Sequence, residues 1–569
     1  MAVQPRFANG VFPLGTHVYR EPCVDLDEIL ADLPLLKRAG FTMIKIQEVW
    51  SHDEPREGEY DFAPVERLVA RANELGLGVY LGLTMEQAPA WLWQRYPDCR
   101  LVYANGLPHD DPTQYCLPAD GKPGPCWEHP GARAAAERFI GALVRRIGAY
   151  PNIWAWNTWQ EIGFWPNDGG ALGFCYSPHT LAALRDWLHT RYETLDALNG
   201  AWQSAFGDWN AVEPPRRTAF APSFIDWRYF MDDVYLPRAL AWKTAAIKAH
   251  DPHNRPVFSH VASPTIGSGA EWRWAKAGDF FGNSNYPAWG SLHAWDDGAD
   301  APRTWHSSVL AELWSNVMLR GDYTRSATGR DRAFWGAEFQ GGPVSTHLHL
   351  GRVPDAADIR RWMLGGLAAG MHGISFWNHR AERFWSECNG FGLLDAQGDT
   401  TERFAEASRI GQALHAHAEL FAQGQPPRAA VALLVNEDLW HFCQGTQNRA
   451  AELLSYNLRG HYARLWRLGI PVDFVDAEEV AAGALAPYKA AILPFPLALD
   501  AGYFAHLRAF VEAGGTLISD ACPGRFDRYG FCPRPQMVEG AEGLFGARHR
   551  QVRLVGEPSG AARWTPPER

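Results

Sequence analysis

Two glutamates in apolar, strand-like runs have the side-chain chemistry needed to break a glycosidic bond. Glu161 closes the run 152–161, and Glu338 lies in the run 333–341. Cleavage of such a bond requires a proton donor for the leaving oxygen and a carboxylate facing the anomeric carbon. When the two carboxyl groups are about 5 Å apart, the carboxylate attacks directly and the anomeric configuration is retained. A single glutamate at a strand end could equally form a salt bridge. The catalytic interpretation therefore depends on whether the fold brings Glu161 and Glu338 together.

The alternation of strand-like and helix-like patterns over residues 10–400 predicts a (β/α)₈ barrel. Its strands are predicted at 10–18, 41–49, 78–84, 152–161, 255–263, 279–287, 333–341 and 373–379. Amphipathic stretches at 25–39, 63–75, 132–150 and 358–369 are predicted helices. The chemistry of such barrels lies at the carboxyl ends of the strands. Because strands four and seven face each other across the mouth, we expect Glu161 and Glu338 to meet there.

Other polar side chains at the ends of the predicted strands are candidates for the same mouth. They are His17, Glu48, Thr84, Tyr286 and Asn378. We expect His17 to contact the substrate. Glu48 is a competing carboxylate, and we expect it to form a structural ion pair with a nearby arginine.

A second domain is predicted after a turn-rich boundary near Gln423. Apolar runs at 429–435, 471–475, 490–495 and 516–521 alternate with helical patterns such as 503–513, which is typical of an open parallel α/β domain of flavodoxin-like type. We therefore predict a catalytic barrel over residues 1–422 and a flavodoxin-like domain, with a structural or assembly role, over residues 423–569. The Pro/Gly-rich tail after Val555 is consistent with a truncated chain.

Composition and charge exclude several classes of function. Of the 569 residues, 46% are hydrophobic and 21% charged, which is typical of a globular protein. The net charge of −11, without a Lys/Arg-rich run, argues against nucleic acid or a membrane as a partner. The 26 tryptophans offer flat faces on which sugar rings stack. Scattered cysteines without a CxxC pair, and no secretory leader pattern, predict a cytoplasmic protein.

Several motifs are long enough to identify a family. The stretch VWSHDEPREGEYDF at 49–62 is similar to a family segment AWSxLEPxEGxYDF, and TMEQAPAWLWQRYPD at 84–98 is similar to one with an Ala-Pro-Pro-Ala-Trp-Leu core. Further similar stretches lie at 150–163, 195–209, 285–287, 337–343 and 392–404. Together they resemble glycoside hydrolase family 42, the bacterial β-galactosidases. The resemblance implies Glu161 as acid/base, Glu338 as nucleophile, retention of configuration, and a homotrimer built by the second domain.

The resemblance also implies a substrate-binding shell. Tyr286 would donate a hydrogen bond to Glu338, and Asn285 precedes it in the same motif. Trp377 would form part of the sugar platform, and Glu387 matches the acidic residue that binds galactose hydroxyls. The substrate would be a glycoside or oligosaccharide, and no cofactor is implied.

Departures from the family pattern bear on the sugar. Gln160 stands where the family has an Asn that contacts the substrate 2-hydroxyl, and one extra methylene exceeds the positional tolerance of a catalytic site. Gly390 replaces a His, and an Arg near residues 114–116 has no counterpart. Besides an exo-acting β-galactosidase, two alternatives therefore remain. The first is a retaining enzyme for a β-mannoside, β-glucoside or α-L-arabinopyranoside, and the second is a sugar-binding barrel without turnover, against which the two retained glutamates argue.

A metal site is not expected. Some family members carry a four-cysteine zinc cluster, of which part lies after strand four, where this sequence reads FCYSPHT at 174–180 with one cysteine. Cys116, Cys126 and Cys175 supply three thiols at most, whereas structural zinc sites use four ligands.

Overall fold

The structure is a computed structural model. It describes residues 10–21, 25–109, 124–164, 173–217, 222–288, 314–346, 349–383, 387–446, 450–520, 522–534 and 537–549. Cys116 and the Pro/Gly-rich tail, on which two of the predictions fall, lie outside these ranges. Among the residues described, none of the helices has the length and apolar character that crossing a membrane requires.

Eight parallel strands form a closed barrel, which confirms the predicted fold. They are β1 (Leu14–Arg20), β2 (Met43–Val49), β3 (Gly78–Thr84), β4 (Ile153–Asn157), β5 (Val257–Val261), β6 (Phe280–Asn285), β7 (Phe334–Gln340) and β10 (Ile374–Trp377). Each strand pairs with its neighbour in sequence, and β10 closes the ring against β1. A two-stranded antiparallel ladder, β8 (Ser345–Thr346) with β9 (His349–Leu350), follows β7.

Helices surround the barrel in the order that the sequence predicts. They are α1 (Leu26–Arg38), α2 (Trp50–Asp53), α3 (Ala63–Glu74), α4 (Ala90–Arg95), α5 (Pro130–Ile147), α6 (Pro178–Tyr192), α7 (Leu195–Trp202), α8 (Pro222–Tyr229), α9 (Leu236–Lys248), α10 (Ala270–Lys276), α11 (Trp314–Thr328), α12 (Ala356–Ala368), α13 (Glu402–Ala416) and α14 (Ala418–Gln423). A π-helical segment, Phe230–Tyr235, joins α8 to α9. Apolar side chains of the helices pack on the outer face of the barrel and form its main core.

The inner face of the barrel changes from apolar to polar along the strands. A small cluster fills the interior with Met43, Tyr80, Ala155, Phe258, Phe280, Trp335 and Ala337. Two residues further along each strand, the same face carries Lys45 on β2, Asn157 on β4 and His260 on β5. The carboxyl ends of the strands therefore surround a polar mouth that rests on a packed apolar base.

Strand β7 carries one extra residue before Glu338. Along β6, Asn283 pairs with Gly336 but the next residue, Ser284, pairs with Glu338. The pairing with β10 skips a residue in the same part of β7. The result is a β-bulge at Ala337, which reverses the alternation of side chains and turns Glu338 into the barrel.

The predicted fourth strand is longer than the observed one. The sequence predicts a strand to residue 161, whereas β4 ends at Asn157. Gln160 and Glu161 lie in the loop that follows, and the prediction that Glu161 ends a strand is wrong by four positions. The apolar run continues through Trp159, which is fully buried, so hydrophobicity does not mark the end of the strand.

The second domain is a four-stranded parallel sheet with helices, as predicted. Its strands β11 (Val431–Leu434), β12 (Val472–Val475), β13 (Ala490–Leu493) and β14 (Thr516–Ser519) are ordered β12-β11-β13-β14. Its helices are α15 (Glu437–Gly445), α16 (Ala450–Arg467), α17 (Ala477–Ala481), α18 (Ala501–Glu512) and α19 (Ala541–Phe545). A buried ion pair joins it to the barrel, with Arg325 Nη1 on α11 lying 2.8 Å from Asp473 Oδ1 on β12. The boundary at residues 422 and 423 stays a prediction.

Candidate active site

Glu338 lies on the inner face of the barrel, where side chains from three other strands or their ends surround its carboxylate. Lys45 on β2 donates from Nζ to Glu338 Oε1 at 2.5 Å, and Tyr286, just after β6, donates to Oε2 at 2.6 Å. His260 on β5 adds a contact, with Nε2 3.8 Å from Oε1. Because each oxygen has a donor of its own, the carboxylate is fixed in orientation.

The same neighbours determine the charge of Glu338. Burial alone raises the pKa of a carboxyl group. Here the positive charge of Lys45, together with the nearby His260, outweighs burial, and the pKa of Glu338 lies well below its usual value. Glu338 is ionised at neutral pH, which is the state that a carboxylate nucleophile requires.

Two positions at the end of β6 connect Glu338 to Glu161. Ser284 and Tyr286 are two residues apart in an extended chain, so their side chains share the inner face. Ser284 donates from Oγ to Glu161 Oε1 at 2.8 Å, while Tyr286 donates to Glu338. Ser284 is also the register partner of Glu338. The end of β6 thus brings the two glutamates to one side of the barrel mouth.

Glu161 stands on a strained turn. Its φ of +53° lies in the left-handed region, which residues other than glycine seldom adopt. Such conformations are concentrated at active sites and persist where the surroundings hold them. One anchor is the next residue, Ile162, whose N–H donates to the carbonyl of His260 at 2.9 Å. The turn directs the Glu161 carboxylate towards Ser284.

Gln160 is buried against β3. A Cβ at Gly82 would lie 3.7 Å from Gln160 Oε1, so a side chain longer than alanine at position 82 would collide with the amide. Oε1 itself is buried and accepts no hydrogen bond from the described residues. An acceptor in this state fits a hydroxyl donor of a bound sugar.

Trp377 ends β10 and contacts both His17 and Arg20. The His17 ring meets it edge-on, 4.3 Å between centroids, and the Arg20 guanidinium lies 4.5 Å from its ring centroid. His17 Nε2 bonds the Tyr19 carbonyl at 2.7 Å; a carbonyl only accepts, so Nε2 carries the proton and Nδ1 is an acceptor. Burial and the charge of Lys45 lower the pKa of His17 well below its usual value, so the ring is neutral. His17 therefore presents a lone pair beside the tryptophan.

Glu387 belongs to a pair of carboxylates around Arg20. Arg20 Nη2 lies 2.8 Å from Glu387 Oε2 and 2.6 Å from Glu382 Oε2. Burial raises the pKa of Glu387, and the charge of Arg20 offsets this only in part. Through Arg20, Glu387 is connected to Trp377. This placement agrees with a position in the predicted binding shell, and its contact with a sugar stays a prediction.

Asn285 faces away from this group of residues. It alternates with Ser284 and Tyr286, so its side chain points to the opposite face of the sheet. There its amide donates to Asn283 Oδ1 at 3.1 Å. The predicted contact of Asn285 with substrate stays a prediction, and its observed contact is within the strand.

Glu48 also faces outward, and its predicted ion pair with an arginine is wrong. Within the part of the chain that the structure describes, its carboxylate has no such partner and lies beside Glu21 and Asp53. Burial raises the pKa of Glu48, and the charge of Glu21 raises it further. Burial likewise raises the pKa values of Glu21 and Asp53, so this cluster favours protonated carboxyl groups and not the expected ion pair.

Three residues of the site, Lys45, His260 and Ser284, are not among the candidates predicted from the sequence. Those candidates stand at or near the ends of predicted strands, whereas these three lie inside strands. A signal for Lys45 was present, because a lysine between isoleucines in the buried strand MIKIQEV requires an anionic partner.

Of the three cysteines considered for a zinc site, the structure describes Cys126 and Cys175. The two come together around two hydroxyl residues, Ser177 and Thr180. The hydroxyls bond each other, with Ser177 Oγ 3.1 Å from Thr180 Oγ1. Two thiols with two hydroxyls do not supply the four sulfur or nitrogen ligands of a structural zinc site.

Two family models match the chain. One, described as Beta-galactosidase, is that of glycoside hydrolase family 42 and matches residues 20–417. The other, described as Beta-galactosidase trimerisation domain, matches residues 429–562. Together they account for the barrel and the second sheet.

Individual relatives agree with these models. The β-galactosidase BglY of Alicyclobacillus acidocaldarius subsp. acidocaldarius is 24% identical over 509 residues, which are 86% of this chain and 67% of that protein. A β-galactosidase of Thermus thermophilus is 28% identical over 512 residues, 86% of this chain and 72% of that protein. The solved structure of a catalytic mutant of Gan42B, a GH42 β-galactosidase from G. stearothermophilus, is 23% identical. It matches with a TM-score of 0.82 over 97% of this chain and 77% of that one.

Proposed function

The chain belongs to glycoside hydrolase family 42 and is a glycoside hydrolase, and we propose that it is an exo-acting β-galactosidase that retains anomeric configuration by double displacement. Glu338 is the nucleophile and Glu161 the acid/base. The observation that carries this assignment is the fixed, ionised carboxylate of Glu338 between Lys45 and Tyr286. Ser284 holds the second carboxyl group beside it.

In the first step, Glu338 attacks the anomeric carbon while Glu161 gives its proton to the leaving oxygen. A glycosyl ester forms at Glu338, and the aglycone departs as an alcohol. In the second step, Glu161 removes a proton from water, the water oxygen attacks the same carbon, and Glu338 leaves as a carboxylate. Two inversions at one carbon give net retention.

The neighbours of Glu338 suit both halves of this cycle. Lys45 stabilises the free carboxylate and so favours its departure in the second step. Tyr286 holds one oxygen of the carboxylate, so that the other is oriented for attack. The neutral His17 and the amide of Gln160 present acceptors to sugar hydroxyls, and Trp377 supplies the apolar face.

A panel of aryl glycosides tests this function. Initial rates on aryl β-D-galactoside, glucoside, mannoside, fucoside and α-L-arabinopyranoside are compared, with Glu338→Ala as the blank. We expect the galactoside to be cleaved fastest, and proton NMR to show the β-anomer of galactose as the first product. If the α-anomer appears first, the double displacement is contradicted. If none of the glycosides is hydrolysed, the sugar-binding alternative is favoured.

A second candidate keeps the mechanism and changes the sugar, and Gln160 is the observation that favours it. Its side chain is one methylene longer than that of the family asparagine, and its buried Oε1 accepts no hydrogen bond from the described residues. The variant Gln160→Asn tests this role. If Gln160 reads the 2-hydroxyl, the ratio of kcat/KM for the galactoside and for sugars differing at C2 changes, whereas a fall of all rates by one factor assigns no specificity to it.

Assembly and location complete the proposal. The trimerisation-domain model over residues 429–562 supports a homotrimer, and light scattering coupled to size exclusion measures its mass. We also propose a cytoplasmic location, since the described cysteines are free thiols. We keep the prediction that nucleic acid is not a partner.

A further inference from the structure

Cys126 and Cys175 form a buried thiol pair between two loops of the barrel. Cys126 precedes α5, and Cys175 precedes α6. Both contact Ser177, whose Oγ donates to Cys126 Sγ at 3.2 Å and whose N–H donates to Cys175 Sγ at 3.4 Å. Thr180 Oγ1 lies 3.1 Å from Cys126 Sγ. Ser177 thus contacts both sulfur atoms, one through its hydroxyl group and the other through its backbone N–H.

The surroundings make the two thiols unequal. Burial raises the pKa of Cys175, but hydrogen bonds from Cys126, Ser177 and Thr180 outweigh burial and lower it to about 6. For Cys126, burial raises the pKa well above its usual value, and the bond to Cys175 raises it further. The pair at neutral pH is a thiolate with a thiol beside it, which is the arrangement of a nucleophilic and a resolving cysteine.

We propose that Cys126 and Cys175 are a modification site at which a hydroperoxide closes a reversible disulfide between the loops that follow β3 and β4. The carrying observation is the shared contact of both sulfur atoms with Ser177. Neither cysteine takes part in the proposed hydrolysis, so the inference stands independently of the sugar that is cleaved.

The chemistry is balanced with hydrogen peroxide as the oxidant. The Cys175 thiolate attacks one peroxide oxygen, the O–O bond breaks, and the departing hydroxide takes up a proton as water, which leaves a sulfenic acid. The Cys126 sulfur then attacks the Cys175 sulfur and its thiol proton goes to the departing hydroxide as a second water. The two thiols lose two electrons and the peroxide gains them. Both side chains are fully buried, so the oxidant named here is hydrogen peroxide, the smallest hydroperoxide.

The disulfide would tie the loop that contains Glu161 to the segment before α5. It would close a loop of about fifty residues, and such a constraint lowers the entropy of the unfolded chain. Oxidised protein is therefore expected to unfold at a higher temperature than reduced protein.

Mass spectrometry of the full chain tests the proposal. The purified protein is treated with hydrogen peroxide, free thiols are blocked with N-ethylmaleimide, and the protein is digested without reductant. We expect a cross-linked peptide pair containing Cys126 and Cys175, a mass about 2 Da lower than that of the two peptides, and its disappearance on reduction. A link between other cysteines, or no link, overturns the proposal, as does stoichiometric zinc in the purified protein.

Variants provide the controls. Cys443→Ser removes a buried thiol of the second domain whose pKa burial raises to about 12, and it should leave the cross-link intact. Cys126→Ser removes the resolving thiol. When this folded variant is treated with peroxide and then unfolded in the presence of dimedone, an adduct should appear at Cys175. Absence of the adduct in folded Cys126→Ser protein contradicts the assigned order of attack. The wild-type measurement stands alone if a variant does not fold.

Discussion

The two glutamates of the site have the same side chain and opposite surroundings. Glu338 belongs to a strand, and its oxygens are held by Lys45 and Tyr286. Glu161 belongs to a loop with strained backbone, and Ser284 donates a hydrogen bond to its carboxylate. A buried cation stabilises the ionised form of a carboxyl group, which is the form that the proposed nucleophile requires. The surroundings of Glu338 therefore fit the role that we propose for it.

Removing the nucleophile gives the largest expected effect. Glu338→Ala should lower turnover of aryl galactosides by several orders of magnitude, because the covalent intermediate no longer forms. Azide should restore part of the rate by attacking from the vacated side, which yields a glycosyl azide of inverted configuration. NMR of the product identifies the anomer. If the variant folds normally but forms no glycosyl azide, Glu338 is not the nucleophile.

Removing the cation tests what keeps Glu338 ionised. In Lys45→Met, burial is no longer outweighed, so the pKa of Glu338 rises. Because the nucleophile acts when ionised, its activity falls as pH decreases through that pKa, and the acidic limb of kcat/KM moves to higher pH. The profile of log kcat/KM against pH measures the shift.

The same variant should lose stability. A buried charge left without its partner costs about 3–5 kcal/mol at neutral pH. The stabilisation by ionised Glu338 is present above its unfolded pKa and is lost as pH falls towards the lower folded pKa. Lys45→Arg keeps the charge and is the matched control. If the acidic limb of the profile is unchanged in Lys45→Met, groups other than Lys45 keep the pKa of Glu338 low.

Removing the tyrosine hydroxyl has an intermediate effect. A hydrogen bond to a charged group contributes about 1.5–3 kcal/mol, so Tyr286→Phe should lower kcat/KM by about 10- to 100-fold. The loss should be similar for substrates with good and poor leaving groups, because the hydrogen bond that is removed is the one donated to the proposed nucleophile. Steady-state rates on a series of substituted aryl galactosides measure it. A loss confined to poor leaving groups would connect Tyr286 to Glu161 instead.

Removing the serine hydroxyl has the smallest effect. Ser284→Ala deletes the described contact of Glu161, a neutral donor worth about 0.5–1.5 kcal/mol, so rates should fall less than about tenfold. The loss should grow as the leaving group becomes more basic, since those substrates depend on proton donation. The same series of aryl galactosides measures the trend, and a loss independent of the leaving group would contradict it.

The sequence predicted the fold well because the barrel follows from local periodicity. Apolar runs such as 41–49 and 279–287 alternate with amphipathic helices, and this pattern requires no knowledge of distant contacts. The motifs at 49–62 and 84–98 then identified the family and, through it, the two glutamates. The end of β4 was mispredicted because buried aromatic residues continue beyond the last strand hydrogen bonds.

The polar neighbours of the glutamates were less predictable. Lys45 and Glu338 are almost three hundred positions apart, and nothing local in either segment shows that they meet. The outward direction of Glu48 follows from the register of β2, which a one-residue shift would reverse. Long-range contacts and strand register are properties of the closed barrel, so neither is readable from one segment.

The bulge at Ala337 makes the site sensitive to deletions within β7. Glu338 faces the barrel only because one surplus residue precedes it. Deletion of one residue of β7 before Glu338 would keep both glutamates in the sequence. It would nevertheless turn the Glu338 side chain away from the barrel interior and towards the helices. The number of residues in β7 is therefore as important for the site as Glu338 itself. A site transferred to another barrel would need both the glutamate and the bulge before it.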